Sequence, residues 1–231
     1  KELNIFNHNI LFGYHNTKIH TSGIESQDKV ENLSFSISGN NNFFGDYTLL
    51  SGVMLEHDAL LNTKGYSAFS LEDSKNRSYY LGLSMNKKIN DFDIGLISLL
   101  GYSNLNNDMP SLINDFSDIY TSNYQFKFKK NNLFNKFDSL KVHLEQPLRI
   151  EKGSINMKLP GMALSNGMIP YNNISSDIEP SGRQINIGLE YQMNPKENIA
   201  FGIKSLIMKD ANHIKNNNLQ NYLSFVAKLS F

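Results

Sequence analysis

The chain contains no cysteine and no tryptophan among its 231 residues. That removes thiol catalysis, disulfides and thiolate metal sites, and it fits an envelope compartment without requiring one. No uninterrupted apolar run approaches the ~20 residues of a helical membrane span, so a helical membrane protein is excluded. An excess of charge of one sign is also missing: 22 Lys and Arg balance 22 Asp and Glu, and nothing points to nucleic acid as a partner. Catalytic signatures are absent too. There is no G-x-S-x-G elbow, no P-loop and no H-E-x-x-H helix, and the six histidines are scattered, with His15 and His20 lacking the helical context of a metal pair. No catalytic, cofactor-binding or metal-binding residue is therefore assigned, and an enzyme is not expected. No Pro/Gly/Ser linker or shift in composition divides the chain, so residues 1–231 are read as one domain. The chain starts at Lys1 without a basic and apolar leader, so a signal peptide or upstream domain is expected to have been removed or to lie outside this sequence.

What the sequence does have is alternation. In the last eleven residues the odd positions from Leu223 through Phe225, Ala227 and Leu229 to Phe231 are all apolar, while Tyr222, Ser224, Val226, Lys228 and Ser230 form a mostly polar face. One greasy face and one wet face suit a strand between lipid and a lumen. The same period recurs in Ile185 to Met193, Tyr120 to Phe128 and Leu140 to Glu145, and more weakly in Asn32 to Ile37, Tyr79 to Met85, Phe92 to Tyr102, Ile155 to Leu159 and Ile199 to Ile207. Less regular segments near 8–19, 43–54 and 60–71 bring the total to about twelve strands, at ~10 residues per membrane crossing. The expected fold is all-β: a closed antiparallel transmembrane β-barrel of about twelve strands, an even number that returns both ends to one side.

Short polar connectors at 40–42, 72–76, 151–153 and 194–197 read as periplasmic turns, and the longer stretches 22–30, 161–180 and 210–220 as extracellular loops. The segment 103–116 breaks this parity, so either the strand count is off nearby or the segment folds against the barrel mouth. Pro147 cannot donate to a ladder and should sit at a strand end or bulge. Strand phasing puts Lys141, His143, Glu145, Asn186, Glu190, Lys204 and Lys228 on the lumen side, with Arg149 and Arg183 near strand ends. Confining these charges to one face is chiefly a folding necessity, since a charge on the lipid face costs ~2–4 kcal/mol at midplane. A small side chain at Gly188 is expected to be tolerated. The 15 Phe and 11 Tyr read as lipid-facing residues and interfacial girdles.

Two resemblances give these patterns a function. The ending resembles the C-terminal signal of bacterial outer-membrane barrels, with Phe231, Leu229 and Phe225 as its apolar positions. The run Leu144-Glu145-Gln146-Pro147-Leu148-Arg149-Ile150, then Gly153, then Leu159-Pro160, and after a loop Gly182-Arg183-Gln184-Ile185, resembles the translocator barrel of autotransporters whose passengers are subtilisin-like serine proteases. That family shows a Q-P-L-R strand, a glycine turn, a short strand ending in proline, and G-R-E before the next strand. The similarity is strong over residues 137–231 and weaker over 57–136. Gln184 stands where the family usually has Glu, so an ion pair at that position loses its acid. The resemblance implies a bacterial outer-membrane barrel that helps export the segment preceding it. Its implied partners are lipid and lipopolysaccharide, the barrel assembly machinery and its own passenger. A bore of about twelve strands would hold a helix or one extended hairpin. Alternative readings are a small porin or diffusion channel, then a barrel hydrolase with Asp, His and Ser at the rim, then a soluble β-sandwich binding protein.

Overall fold

Period-2 sequence becomes strand almost throughout the computed structural model, which describes residues 2–5, 8–18, 29–60, 69, 71, 74–106, 111–196 and 199–229. The strands are β1 (Glu2–Ile5), β2 (His8–Lys18), β3 (Lys29–Asn41), β4 (Gly45–His57), β5 (Lys75–Ile89), β6 (Phe92–Asn106) and β7 (Ile113–Phe116). They continue with β8 (Ile119–Asn131), β9 (Asp138–Lys152), β10 (Ser154–Pro160), β11 (Tyr171–Asp177), β12 (Ile185–Lys196), β13 (Ile199–Lys209) and β14 (Gln220–Leu229). Eleven of them form one antiparallel sheet in the order β1-β2-β3-β4-β5-β6-β8-β9-β12-β13-β14, and β11-β10-β7 form a second, three-stranded sheet. Among the described residues neither sheet is closed on itself, and β1 and β14 stand at the two ends of the large one.

Cross-strand partners share a face, so the register separates the two surfaces of the large sheet. One row runs Tyr14, Leu33, Val53, Tyr79, Tyr102, Tyr120 from β2 to β8. Another runs Tyr47, Met85, Leu96, Phe126, Leu144, Ile187, Ile207 from β4 to β13. A third joins Ile89, Phe92, Lys130, Leu140, Tyr191, Ile203 and Phe225. Most of these side chains are exposed. The opposite face is mainly polar: Lys88, Asp93, Lys129, Lys141, Glu190 and Lys204 make one row, and Gln125, Glu145 and Asn186 another. Ordinary globular polarity is thus reversed. Among the described residues ten of the buried side chains are polar and seven apolar, and those residues build no conventional core behind the sheet.

The connections sort by length. Residues 42–44, 90–91 and 132–137 join strands at one end, where the register also brings Ile5 opposite His8 and Lys196 opposite Ile199. Gly45 enters β4 at φ 72 with the Asn86 carbonyl where a side chain would go, and Asn90 and Asn132 turn at φ 54 and 55, the left-handed region that asparagine tolerates. At the other end β2 and β3, β4 and β5, β6 and β8, β9 and β12, and β13 and β14 are separated by longer stretches of sequence. There the second sheet packs over the polar face. Leu60, Leu71, Leu105, Ile113 and Ile119 form a buried apolar cluster, with Phe116, Ile150, Ile155 and Ile178 against it. Beneath it Asn76 donates to Glu56 at 3.1 Å, and the Ser78 and Ser103 hydroxyls bond at 2.7 Å.

Several expectations are corrected. The segment 103–116 belongs to the long-connection end, and its β7 pairs with β10, which removes the parity conflict. Residues 151–153 are not a tight hairpin turn. Glu151 and Lys152 finish β9, and Gly153 alone leads into β10 of the other sheet. Residues 74–76 likewise lead into β5 at the long end, 72 and 73 lying outside the described residues. The loop expected at 161–180 contains β11. The strand expected near 60–71 lies mostly outside the described residues. Pro147 does sit at a bulge: Ser122 pairs with Arg149 and Tyr124 with Gln146, three steps of β9 against two of β8.

Gly188 is not the permissive position expected of it. His143 is its cross-strand partner, and a Cβ built on Gly188 would fall inside the His143 imidazole. Gly188→Ala should therefore cost about 1–3 kcal/mol by overpacking. Combining it with His143→Ala should recover part of that loss, giving a coupling of about 1 kcal/mol or more in a double-mutant cycle read from denaturant midpoints. Additive single effects would mean that the ring does not rest on Gly188.

Candidate functional site

Two charged assemblies gather the residues singled out by sequence. On the polar face, the Glu190 carboxylate in β12 accepts an ion pair from Lys204 of β13 at 3.0 Å and lies 3.9 Å from Lys141 of β9. All three belong to one register row, so alternation alone aims them at each other. Glu145 shares this face, opposite Asn186 and Gln125, but makes no ion pair among the described residues. Lys204 is half exposed and the pairs are open to solvent, which limits each to about 0–1 kcal/mol.

The second assembly is built where Pro147 breaks the β8/β9 ladder. Arg149 and Arg183 are far apart in sequence yet converge on Glu151. Arg183 forms a fork, Nη1 to Oε1 at 2.9 Å and Nη2 to Oε2 at 2.6 Å, and Arg149 Nη1 adds a bond to Oε2 at 2.6 Å. The Ser122 hydroxyl donates to Glu151 Oε1 at 2.5 Å. Gln146 is fully buried; it accepts from Arg183 through Oε1 and donates to Ser122 Oγ at 3.0 Å. Arg149 also spends Nε on the Gly182 carbonyl at 3.0 Å and Nη2 on that of Pro180 at 2.9 Å, fastening the chain that enters β12. Glu151 and Ser122 were not picked out from the sequence, and Gln146 entered only as part of the Gln146-Pro147-Leu148-Arg149 run. The usable signal was Glu151 two residues beyond Arg149, on the same side of an extended strand, but its turn-like neighbours Lys152 and Gly153 hid it.

Gln184 acts as a bridge rather than as a lost ion pair. Its Oε1 accepts the Asn212 amide at 2.7 Å and its Nε2 donates to Asn186 at 2.8 Å. This holds the 3₁₀ turn Ala211–His213, in which Asn212 and His213 both have φ 59. The Gln184 amide donates to His213 Nδ1 at 3.0 Å, so that nitrogen carries no proton and Nε2 donates to the Leu148 carbonyl at 3.1 Å. Burial pushes the imidazole below its usual value; the bond to the Leu148 carbonyl pulls it partly back up, and Arg149 and Arg183 add smaller downward pushes. Among the described residues no three His, Asp or Glu side chains converge as metal ligands.

The proposed assembly signal is only partly described. Phe225 is 74% exposed and shares a row with Ile203 and Tyr191. Leu229 pairs with Ile199 as the last residue of β14; its side chain and all of Phe231 lie outside the described residues.

Two measurements check these assemblies. Glu151→Ala should cost about 2–4 kcal/mol, because it strands two arginines, one largely buried, whereas Lys204→Ala should cost under about 1 kcal/mol; equal denaturant midpoints for the two variants would contradict the clamp. His213 has a folded pKa below its unfolded value, so the folded state binds fewer protons and loses stability as pH falls below about 6.5. Amide-exchange protection at Gln184 and across 211–217 should drop from pH 7 to pH 5, and His213→Phe should abolish that dependence. Comparison with family models, with curated proteins and with solved structures gave no match.

Proposed function

We propose that the large sheet closes into an outer-membrane β-barrel and serves as a translocator for a polypeptide segment that precedes it. The observation that carries the membrane part is the reversed polarity of the sheet. Exposed apolar side chains cover one face from β2 to β14, while buried positions are mostly polar, an arrangement that water penalises and lipid rewards.

The distribution of aromatics supports it. Towards the long-connection end of the apolar face, Tyr79, Tyr102 and Tyr120 form a contiguous band, with ring centroids 6.1 and 5.3 Å apart. Towards the other end, Phe92 packs on Phe128 at 5.4 Å, and the Lys130 ammonium sits 4.5 Å over the Phe92 ring. Aliphatic residues such as Leu49, Leu83, Leu96, Leu144 and Ile187 lie between. Tyr102 and Phe92 are ten residues apart on β6, about 33 Å of strand, which at a tilt of ~40° gives roughly the 25 Å apolar height of a membrane barrel. The short connections would then be periplasmic and the long ones extracellular.

Strand direction limits the ways in which the sheet could close. Eleven alternating strands leave β1 and β14 running the same way, whereas β2 and β14 run oppositely. Antiparallel closure of the sheet thus takes either β2 against β14 with β1 displaced from its edge, giving ten strands, or one further strand between β1 and β14, giving twelve. The translocator part rests on the resemblance of residues 137–231; a small porin is the second reading, favoured by the polar face, which would line a wet lumen.

The tests separate these layers. Protein in membranes should resist carbonate and high-salt extraction, and Ile187→Arg, near the middle of the apolar band, should cost about 2–4 kcal/mol of stability in lipid, whereas Glu145→Gln on the other face should be mild. Release by carbonate without detergent would sink the membrane reading. Because the chain has no cysteine, paired cysteines at 10–14 and 223–227 report closure directly: cross-linking favours ten strands. An unfolded reporter fused before Lys1 should reach the cell surface. If it never does, and bilayers show a large, permanently open conductance, the porin reading replaces the translocator.

A further inference from the structure

The polar face near the short-connection end holds a cavity of about 550 Å³, lined by β4, β5, β6, β8, β9 and β12. Its walls carry more positive charge than they neutralise. Lys129 and Lys141 are direct cross-strand partners, which places two like charges about 5 Å apart at Cβ, a destabilising arrangement unless something offsets it. Lys127 is two residues along the same strand and the same face as Lys129. Lys88 is in the row of Lys129, separated from it by Asp93.

The acids in the cavity are turned elsewhere. Asp93 accepts from Asn131 at 2.8 Å, Asp46 from Asn40 at 2.6 Å, and Glu190 takes Lys204 at 3.0 Å. Of the cavity lysines, Lys87 is spent on the carbonyls of Asn42 and Phe43 at 3.0 and 2.9 Å, and Lys141 reaches Glu190 only at 3.9 Å. Lys88, Lys127 and Lys129 have no acidic partner within 4 Å among the described residues. Gly95 lies opposite Lys127, and the Asn86 side-chain oxygen fills the place its own side chain would take.

We infer that this cavity is a binding site for a multivalent oxyanion of the phosphate class. Ammonium groups act as point charges for phosphate oxygens, and three or four of them around one concavity would hold a diphosphate better than a chloride. Anion binding would also remove the Lys129/Lys141 repulsion, so it should stabilise the fold. The site depends on the polar face alone and does not rest on the membrane reading.

The test is equilibrium dialysis of purified protein, in detergent where needed, against labelled pyrophosphate at constant ionic strength. The expected result is saturable binding that chloride at the same ionic strength does not displace. Lys127→Gln/Lys129→Gln should weaken it tenfold or more, while Lys158→Gln/Lys215→Gln, remote from the cavity, should leave it unchanged. Asp93→Asn, which removes an acid from the wall, should tighten binding several-fold, an outcome a merely damaged fold would not give. Pyrophosphate should also raise the melting temperature of the wild type but not of the Lys127/Lys129 variant. No saturable binding to the wild type, equal losses in both lysine pairs, or no tightening in Asp93→Asn would each overturn the site.

Discussion

The backbone ladder from β1 to β14 carries a burden that a core carries in most proteins. With apolar side chains facing outwards on one surface and charges on the other, little of the molecule is held by burial. What remains is strand-to-strand hydrogen bonding, continuous over eleven strands, and in a low-dielectric surrounding each of those bonds is expensive to leave unmade. The ladder therefore dictates which irregularities are allowed. Of its two shifts between β8 and β9, one falls where Pro147 removes a donor and the other at Glu151, and the protein invests its densest polar network around them. Gln146, Ser122 and the two arginines on Glu151 knit together strands whose own bonds are interrupted.

The apolar cluster has a different task. Leu60, Leu71, Leu105, Ile113 and Ile119 come from four separate stretches of chain and meet over one end of the polar face. This small dry patch ties the second sheet to the large one. It also divides the polar face into two environments: a covered end, where Glu56, Asn76, Ser78 and Ser103 are sealed beneath apolar side chains, and an open end, where the lysine row meets the cavity.

How much of this was legible depended on whether the information was local. The strands β8, β9, β12 and β14 announce themselves by clean alternation, since each presents two chemically different faces. The pairing of Glu190 with Lys204 and Lys141 was foreshadowed by the same rule, which put all three on one side. β11 was invisible because Tyr171–Asp177 is exposed on both faces and so carries no polarity signal. β7 has four residues and borrows its structure from β10. Glu151 was misread because turn chemistry at 151–153 cannot say which sheet the next strand will join. The crowding at Gly188 was equally hidden, because a glycine in sequence does not reveal whose ring fills its place. Closure of the sheet is a relation between the two chain ends, and no segment encodes it alone.

The sorting of connections by length has a kinetic consequence. The pairs β1/β2, β3/β4, β5/β6, β8/β9 and β12/β13 are joined by a few residues each, so each can zip as a local hairpin with little loop-closure entropy, on a microsecond scale. Joining one hairpin to the next means closing the longer stretches, the longest being 153–184. Because these steps are entropically separate, the chain is organised as five prefabricated units whose docking, rather than formation, sets the pace. Interruption of that docking would leave hairpin edges unpaired, the state from which sheet proteins aggregate.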